Sequence, residues 1–156
     1  MKKLIGIKIL LFLLFINYCI GQDGTAFDLQ LKGNELSQQG DYIEALKFYN
    51  QAIEIYKSKN DGRWLGKCYY YRAHCKEMLD DYRGAINDYN NAMIAWDYGK
   101  IPNEAMYPSI YYYRGVCKYL LNDNDGACQD WSKAGELGET EAYQMINKNC
   151  IDFLKN

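Results

Sequence analysis

The strongest constraint on the fold is a match of the sequence to itself. Displaced by 42 residues, Tyr69–Ala92 lies over Tyr111–Ala134, and 12 of the 24 positions are identical. The shared residues include "YYYR", a cysteine-lysine pair, a turn with Leu-x-Asp and two alanines seven apart. A displacement of 40 brings a weaker third copy, "GDYIEALKFYNQAI" (Gly40–Ile53), over "DDYRGAINDYNNAM" (Asp80–Met93). Chains that repeat with such periods stack one supersecondary unit on the next, because no unit buries its apolar face alone. Three units of two helical stretches each are expected.

Within each unit the first stretch is aromatic or aliphatic, and a short polar turn follows: "QQGD", "LDD" or "LNDND". The second stretch carries Ala45 and Ala52, Ala85 and Ala92, or Ala127 and Ala134. Four residues after each first alanine stands a large aromatic: Tyr49, Tyr89 or Trp131. Positions i, i+4 and i+7 share one helix face. Small residues there let a neighbouring helix approach, and the aromatic fills the space beside it.

These residues resemble the tetratricopeptide (TPR) repeat, in which an aromatic, a Leu-Gly pair and Ala-x3-Phe recur within about 34 residues. Gly33, Ala73 and Gly115, each twelve before the first alanine, occupy the small slot of a TPR first helix, and Leu29, Tyr69 and Tyr111 its Trp slot. The resemblance covers residues 26–134. It departs where Lys32, Arg72 and Arg114 replace leucine, where the terminal proline is missing, and in unit spacings of 40 and 42. Extra residues near "KSKNDGRW" and "DYGKIPNEAMYPS" must lengthen helices or loops. The resemblance implies an all-α, right-handed solenoid within residues 22–156, with helix-turn-helix units at about 26–59, 64–98 and 106–138. After Gly138, the residues Ala142, Met145, Ile146, Cys150, Phe153 and Leu154 recur at helical spacing. A capping helix at about 139–154 is expected, since a solenoid must close its last apolar face.

The N-terminus reads differently. "MKK", an apolar run over residues 4–16 and the small residues Cys19 and Gly21 have the layout of a signal peptide cut before Gln22. The run is shorter than the roughly 20 residues of a spanning helix. A tetratricopeptide protein of the secreted bacterial type, periplasmic or released, is the expectation. The alternative is a lipoprotein anchored at Cys19, although Tyr18 stands where a small residue normally precedes the acylated cysteine. Membrane contact is expected only through these two routes. Without residues 1–21 the chain has 15 basic and 20 acidic residues, a net charge of −5, and no run of Lys or Arg. Nucleic-acid binding, which needs a basic patch, is not expected.

In a TPR-like solenoid the first helices line the inner surface. By that resemblance Gln30 and Asn34, then Tyr70, His74 and Glu77, then Tyr112, Val116 and Tyr119, form a groove for an extended or helical peptide. Tyrosine suits such a surface because it buries area at little entropic cost and keeps a polar tip. The runner-up is a carbohydrate or cell-wall module using the same tyrosines. One TPR variant holds C-terminal carboxylates through a lysine and asparagine clamp. Asn34 matches one clamp slot, but Gln30 and Ser109 replace two lysines, so that specificity is not expected.

An acid recurs wherever the arginine does: Asp88 with Arg72 and Asp130 with Arg114, against Phe48 with Lys32 in the first unit. Ion pairs Arg72–Asp88 and Arg114–Asp130 bridging the two helices of a unit are expected. Cys75 and Cys117 hold equivalent slots and read as small core residues. The pairing expected to form a disulfide is Cys128–Cys150, which would join the last repeat to its cap. His74 adjoins Cys75, but neighbours on a helix point about 100° apart and do not converge as a nucleophile and base. No C-x2-C or H-x3-H spacing signals a metal site. No cofactor, metal or catalysis is expected; a protein or peptide partner is.

Overall fold

The computed structural model describes residues 25–99 and 105–150, and all its regular elements are helices. Helix α1 covers 25–38, followed by α2 (Tyr42–Ser58), α3 (Gly62–Met78), α4 (Tyr82–Tyr98), α5 (Tyr107–Leu120), α6 (Asn124–Glu136) and α7 (Glu141–Asn149). Helices α1/α2, α3/α4 and α5/α6 are the three hairpins, and each packs on the next to give a TPR-like solenoid. The segment expected to be a signal peptide, Cys19, Phe153 and Leu154 lie outside the described residues.

One piece of turn chemistry is used four times. Gly40, Asn60, Asp80 and Asn122 all adopt positive φ two residues beyond a helix. Glycine does so freely, and Asn and Asp tolerate it best among the rest. The next residue is always an aspartate: Asp41, Asp61, Asp81 or Asp123. Its N–H reaches back to Leu36, Tyr56, Lys76 or Lys118 O at 2.9–3.1 Å, a Schellman closure. Its carboxylate caps the following helix at Glu44, Trp64, Gly84 or Gly126 N. The Asn60–Asp61 turn joins two units, yet it is as tight as the turns within them. The extra length expected near "KSKNDGRW" is therefore absorbed by α2 and α3, each of 17 residues, and not by a loop.

The small-slot pattern sets the distance between paired helices. A Cβ on Gly33 would lie 2.8 Å from Tyr49, and one on Gly115 would lie 2.8 Å from the Trp131 indole. Trp131 and Tyr49 are fully buried and lie flat against helix backbone that any side chain would push away. Trp131 also donates its indole N–H to Tyr112 O at 3.2 Å, so burying it leaves no orphan donor. The main core runs through all three units, from Ala26 and Tyr56 through Tyr69 and Tyr89 to Ile110 and Cys117.

The last apolar face, around Trp131 and Ala134, is covered by Ala142 and Ile146 of α7. The expected cap is helical over Glu141–Asn149, with Cys150 at its C-cap. A disulfide joins Cys128 to Cys150 with a Cα–Cα distance of 5.8 Å, tying α6 to the end of α7. Cys68, Cys75 and Cys117 are unpaired thiols in the interior.

Candidate functional site

Helices α3 and α5 turn Arg72, Lys76, Arg114 and Lys118 toward the second helices, and Tyr70, Tyr71, Tyr112 and Tyr113 toward another face. Arg72 grips the fully buried Asp88 of α4 with two nitrogens, at 2.7 and 2.6 Å, and Lys76 reaches the same carboxylate at 2.8 Å. Arg114 repeats the grip on Asp130 of α6 at 2.8 and 2.6 Å, with Lys118 at 2.9 Å. The remaining guanidinium nitrogen donates backwards, from Arg72 to Asn50 at 2.6 Å and from Arg114 to Asn90 at 2.5 Å. Each guanidinium also lies over its own unit's tyrosine, Tyr69 or Tyr111, at 5.3 and 5.2 Å. Bidentate geometry makes these the strong kind of charged hydrogen bond. Each arginine thus ties both helices of its unit to the unit before. The lysines and asparagines extend each expected ion pair into a network. Lys32, in the first unit's slot, bonds Glu35 at 2.8 Å instead.

The other face assembles where α1, α3 and α5 lie side by side. Cys68 and Cys75 of α3 reach Gln30 and Ser37 of α1 at 3.3 and 3.4 Å, and the His74 ring sits 6.1 Å from Tyr113 of α5. Along this face Tyr70 and Tyr71 meet edge-on at 5.3 Å, and Tyr112 and Tyr113 do the same at 5.2 Å. Tyr71 stacks toward Tyr49 at 6.3 Å. A recess of about 260 Å³ opens between the first two units, lined by Asn34, Ser37, Gln38, Tyr49, Tyr71 and His74.

The residues expected here are not all available to a partner. Gln30 is a correction: it is only 3% exposed, its amide oxygen accepting from Cys68, so it belongs to the packing between α1 and α3. Asn34 accepts the Tyr49 hydroxyl at 2.8 Å and borders the recess. Glu77 accepts the Tyr89 hydroxyl at 3.0 Å and sits 3.8 Å from His74 Nδ1, with little of its carboxylate exposed. His74 and Tyr112 are half-buried at the surface, and Val116 packs against the Trp131 cluster. Tyr119 is exposed at the far end, its ring 5.7 Å from Trp131. Tyr71 and Tyr113 were missed. They belong to the identical "YYYR" stretch but fall one residue outside the register of Tyr70 and Tyr112.

Two further groups, without counterparts in the other units, border the face. Glu139, in the turn before α7, accepts the Ser109 hydroxyl of α5 at 3.2 Å, and Glu141 opens α7. Their influence reaches the tyrosines. Burial, the neighbouring Tyr113 and Tyr71, and then Glu77 and Glu139 push the Tyr70 phenol up to about 12. Tyr112 and Tyr113 are raised as well, by burial first and then by Glu77, Glu139 and Glu141 among their neighbours. Burial alone dominates at the thiols, raising Cys68 and Cys117 to about 12. His74 faces Tyr113 while Cys75 is buried against Ser37, so the adjacent pair diverges. Among the described residues no three His, Cys, Asp or Glu side chains gather as a metal site would.

The tetratricopeptide repeat model matches residues 25–93, the first two units. Solved structures extend the likeness over the described chain. The first TPR of Spaghetti (RPAP3), bound to the HSP90 peptide SRMEEVD, is similar with a TM-score of 0.68 and 22% identity, covering 84% of this chain and 94% of that one. The second TPR domain of human RPAP3, in complex with the HSP70 peptide SGPTIEEVD, has a TM-score of 0.66 and 21% identity over 81% and 96%. PcrH in complex with the chaperone binding region of PopD has a TM-score of 0.69 and 17% identity over 82% and 92%. No curated protein matches the chain. The architecture is TPR-like.

Proposed function

We propose that this chain is an exported, non-enzymatic interaction module that holds a peptide segment of a partner protein along the inner face of α1, α3 and α5. The observation that carries the reading is the division of labour on α3 and α5. Arg72, Lys76, Arg114 and Lys118 are spent on buried acids within the scaffold. Tyr70, Tyr71, Tyr112 and Tyr113 instead sit partly exposed on one continuous face. Export is supported by the N-terminal layout and by the Cys128–Cys150 disulfide, a bond that persists in oxidising compartments. A peptide is favoured over a sugar by ring packing. The tyrosine pairs meet at 70° and 78°, a corrugated surface for side chains and not a flat platform for stacking a pyranose.

The test is chemical cross-linking in the native envelope, comparing the wild type with the Tyr70→Ala/Tyr112→Ala variant. The reading predicts a protein adduct that the double variant loses while its circular dichroism stays helical. Equal adducts from both proteins would remove the groove assignment. Retention on purified glycan, with no protein adduct, would move the assignment to the carbohydrate reading.

A further inference from the structure

We infer that the segment held on this face is basic, with a Lys or Arg side chain seated on the Tyr70–Tyr112–Tyr113 cluster between Glu77 and Glu139. This rests on the peptide-binding reading above and adds the chemistry of the occupant. The groups that face the cluster come from three sides. Helix α3 supplies Tyr70, Tyr71, His74 and Glu77; α5 supplies Ser109, Tyr112 and Tyr113; and the start of α7 brings Glu139 and Glu141. Most cations of α3 and α5 are engaged elsewhere: Arg72 and Lys76 on Asp88, Arg114 and Lys118 on Asp130, and Lys67 over the Trp64 ring at 4.9 Å, while Arg63 is exposed in the first turn of α3, two turns before Tyr70. The acids placed beside the tyrosines, Glu77 and Glu139, thus face no engaged cation of their own.

This arrangement selects a cation in two ways. Ring faces attract a Lys or Arg head group through their quadrupole. Glu77, held at the seam between α3 and α4 with little exposure, acts across protein rather than water, where a charge is felt more strongly. Glu139 stands at the rim, positioned by the Ser109 hydroxyl. The net charge of −5 beyond residue 21 adds long-range attraction of the same sign. An acidic tail such as SRMEEVD, which the RPAP3 domain binds, would meet repulsion here.

Selection of random dodecapeptides by display against the intact protein tests the inference. The expected binders carry Lys and Arg at about three times the library frequency, a ratio matching one exposed cation–ring contact. Glu77→Gln/Glu139→Gln keeps both acceptors for Tyr89 and Ser109, so the scaffold is spared, and its binders should show a smaller Lys and Arg excess than the wild type's, the rings alone remaining to attract the cation. Binders that require Tyr112, as judged with Tyr112→Ala, yet show no basic excess would overturn this inference and leave the peptide groove standing. No enriched peptide, or peptides indifferent to Tyr70→Ala/Tyr112→Ala and to Tyr112→Ala alone, would overturn the peptide-binding reading and this inference with it.

Discussion

Replacing Asp88 with alanine should be among the most damaging single changes available to this chain. The carboxylate is fully buried and holds Arg72 at 2.7 and 2.6 Å and Lys76 at 2.8 Å. Both cations are themselves mostly covered, with 17% and 20% of their side chains exposed, so neither turns to water without moving helix. Removing one partner of a buried ion pair typically costs about 3–5 kcal/mol, because the other charge stays behind unpaired. Two cations share the loss here, and the Arg72 bond to Asn50 across the unit boundary weakens with it. In a domain of this size that corresponds to a fall in Tm of roughly 10–20 °C. Thermal melts followed by circular dichroism would measure it, with Asn50→Ala as control, expected to cost less than about 1 kcal/mol because it loses a single solvent-exposed bond. An Asp88→Ala melt within about 2 °C of wild type, a change under 1 kcal/mol, would refute the claim that the repeated arginine, lysine and aspartate fasten the hairpins.

Gly115→Ala should destabilise by about 1–3 kcal/mol despite alanine's better helix propensity, since its Cβ would meet the Trp131 indole at 2.8 Å; urea titration reads the difference. Reducing the Cys128–Cys150 bond should cost about 3 kcal/mol through its 22-residue separation and loosen α7 first, visible as faster hydrogen exchange over Glu141–Asn149. Cys68 and Cys117, buried and raised to about 12, should stay silent to a thiol reagent at neutral pH until the chain unfolds. Tyr70 titrates at about 12 in the fold against 10 when unfolded, so it adds stability below pH 10 that is lost as pH rises through 12. Phenolate absorbance and circular dichroism followed together should therefore show a buried set of tyrosines, Tyr70 among them, ionising only as the helices melt; ionisation of every tyrosine before melting would contradict the burial.

What the sequence made legible was whatever recurs at a fixed offset. The alanine and aromatic slots and the arginines with their acids appear two or three times each, so position and partner could be read together. Asn50 and Asn90 also recur, but each serves the arginine of the following unit, and aligning units on one another hides a bond that runs between them. Lys76 and Lys118 are identical positions whose role needed the distance to a shared carboxylate. Gln30 misled because it shares the register of Tyr70 and Tyr112 while the Cys68 thiol draws it inward. Ser109 and Glu139 occur once, are thirty residues apart and meet only through the docking of α7. Single features carry no periodic signal, and they happen to border the candidate site.

The account turns on which surface meets the partner. Photo-reactive residues placed at Tyr71 and Tyr112 on the inner face, and at Asn87 and Gln129 on exposed positions of the second helices, compare the two surfaces in one experiment. The account predicts a partner adduct from positions 71 and 112 and none from 87 and 129. Adducts from Asn87 and Gln129, with positions 71 and 112 silent, would contradict it.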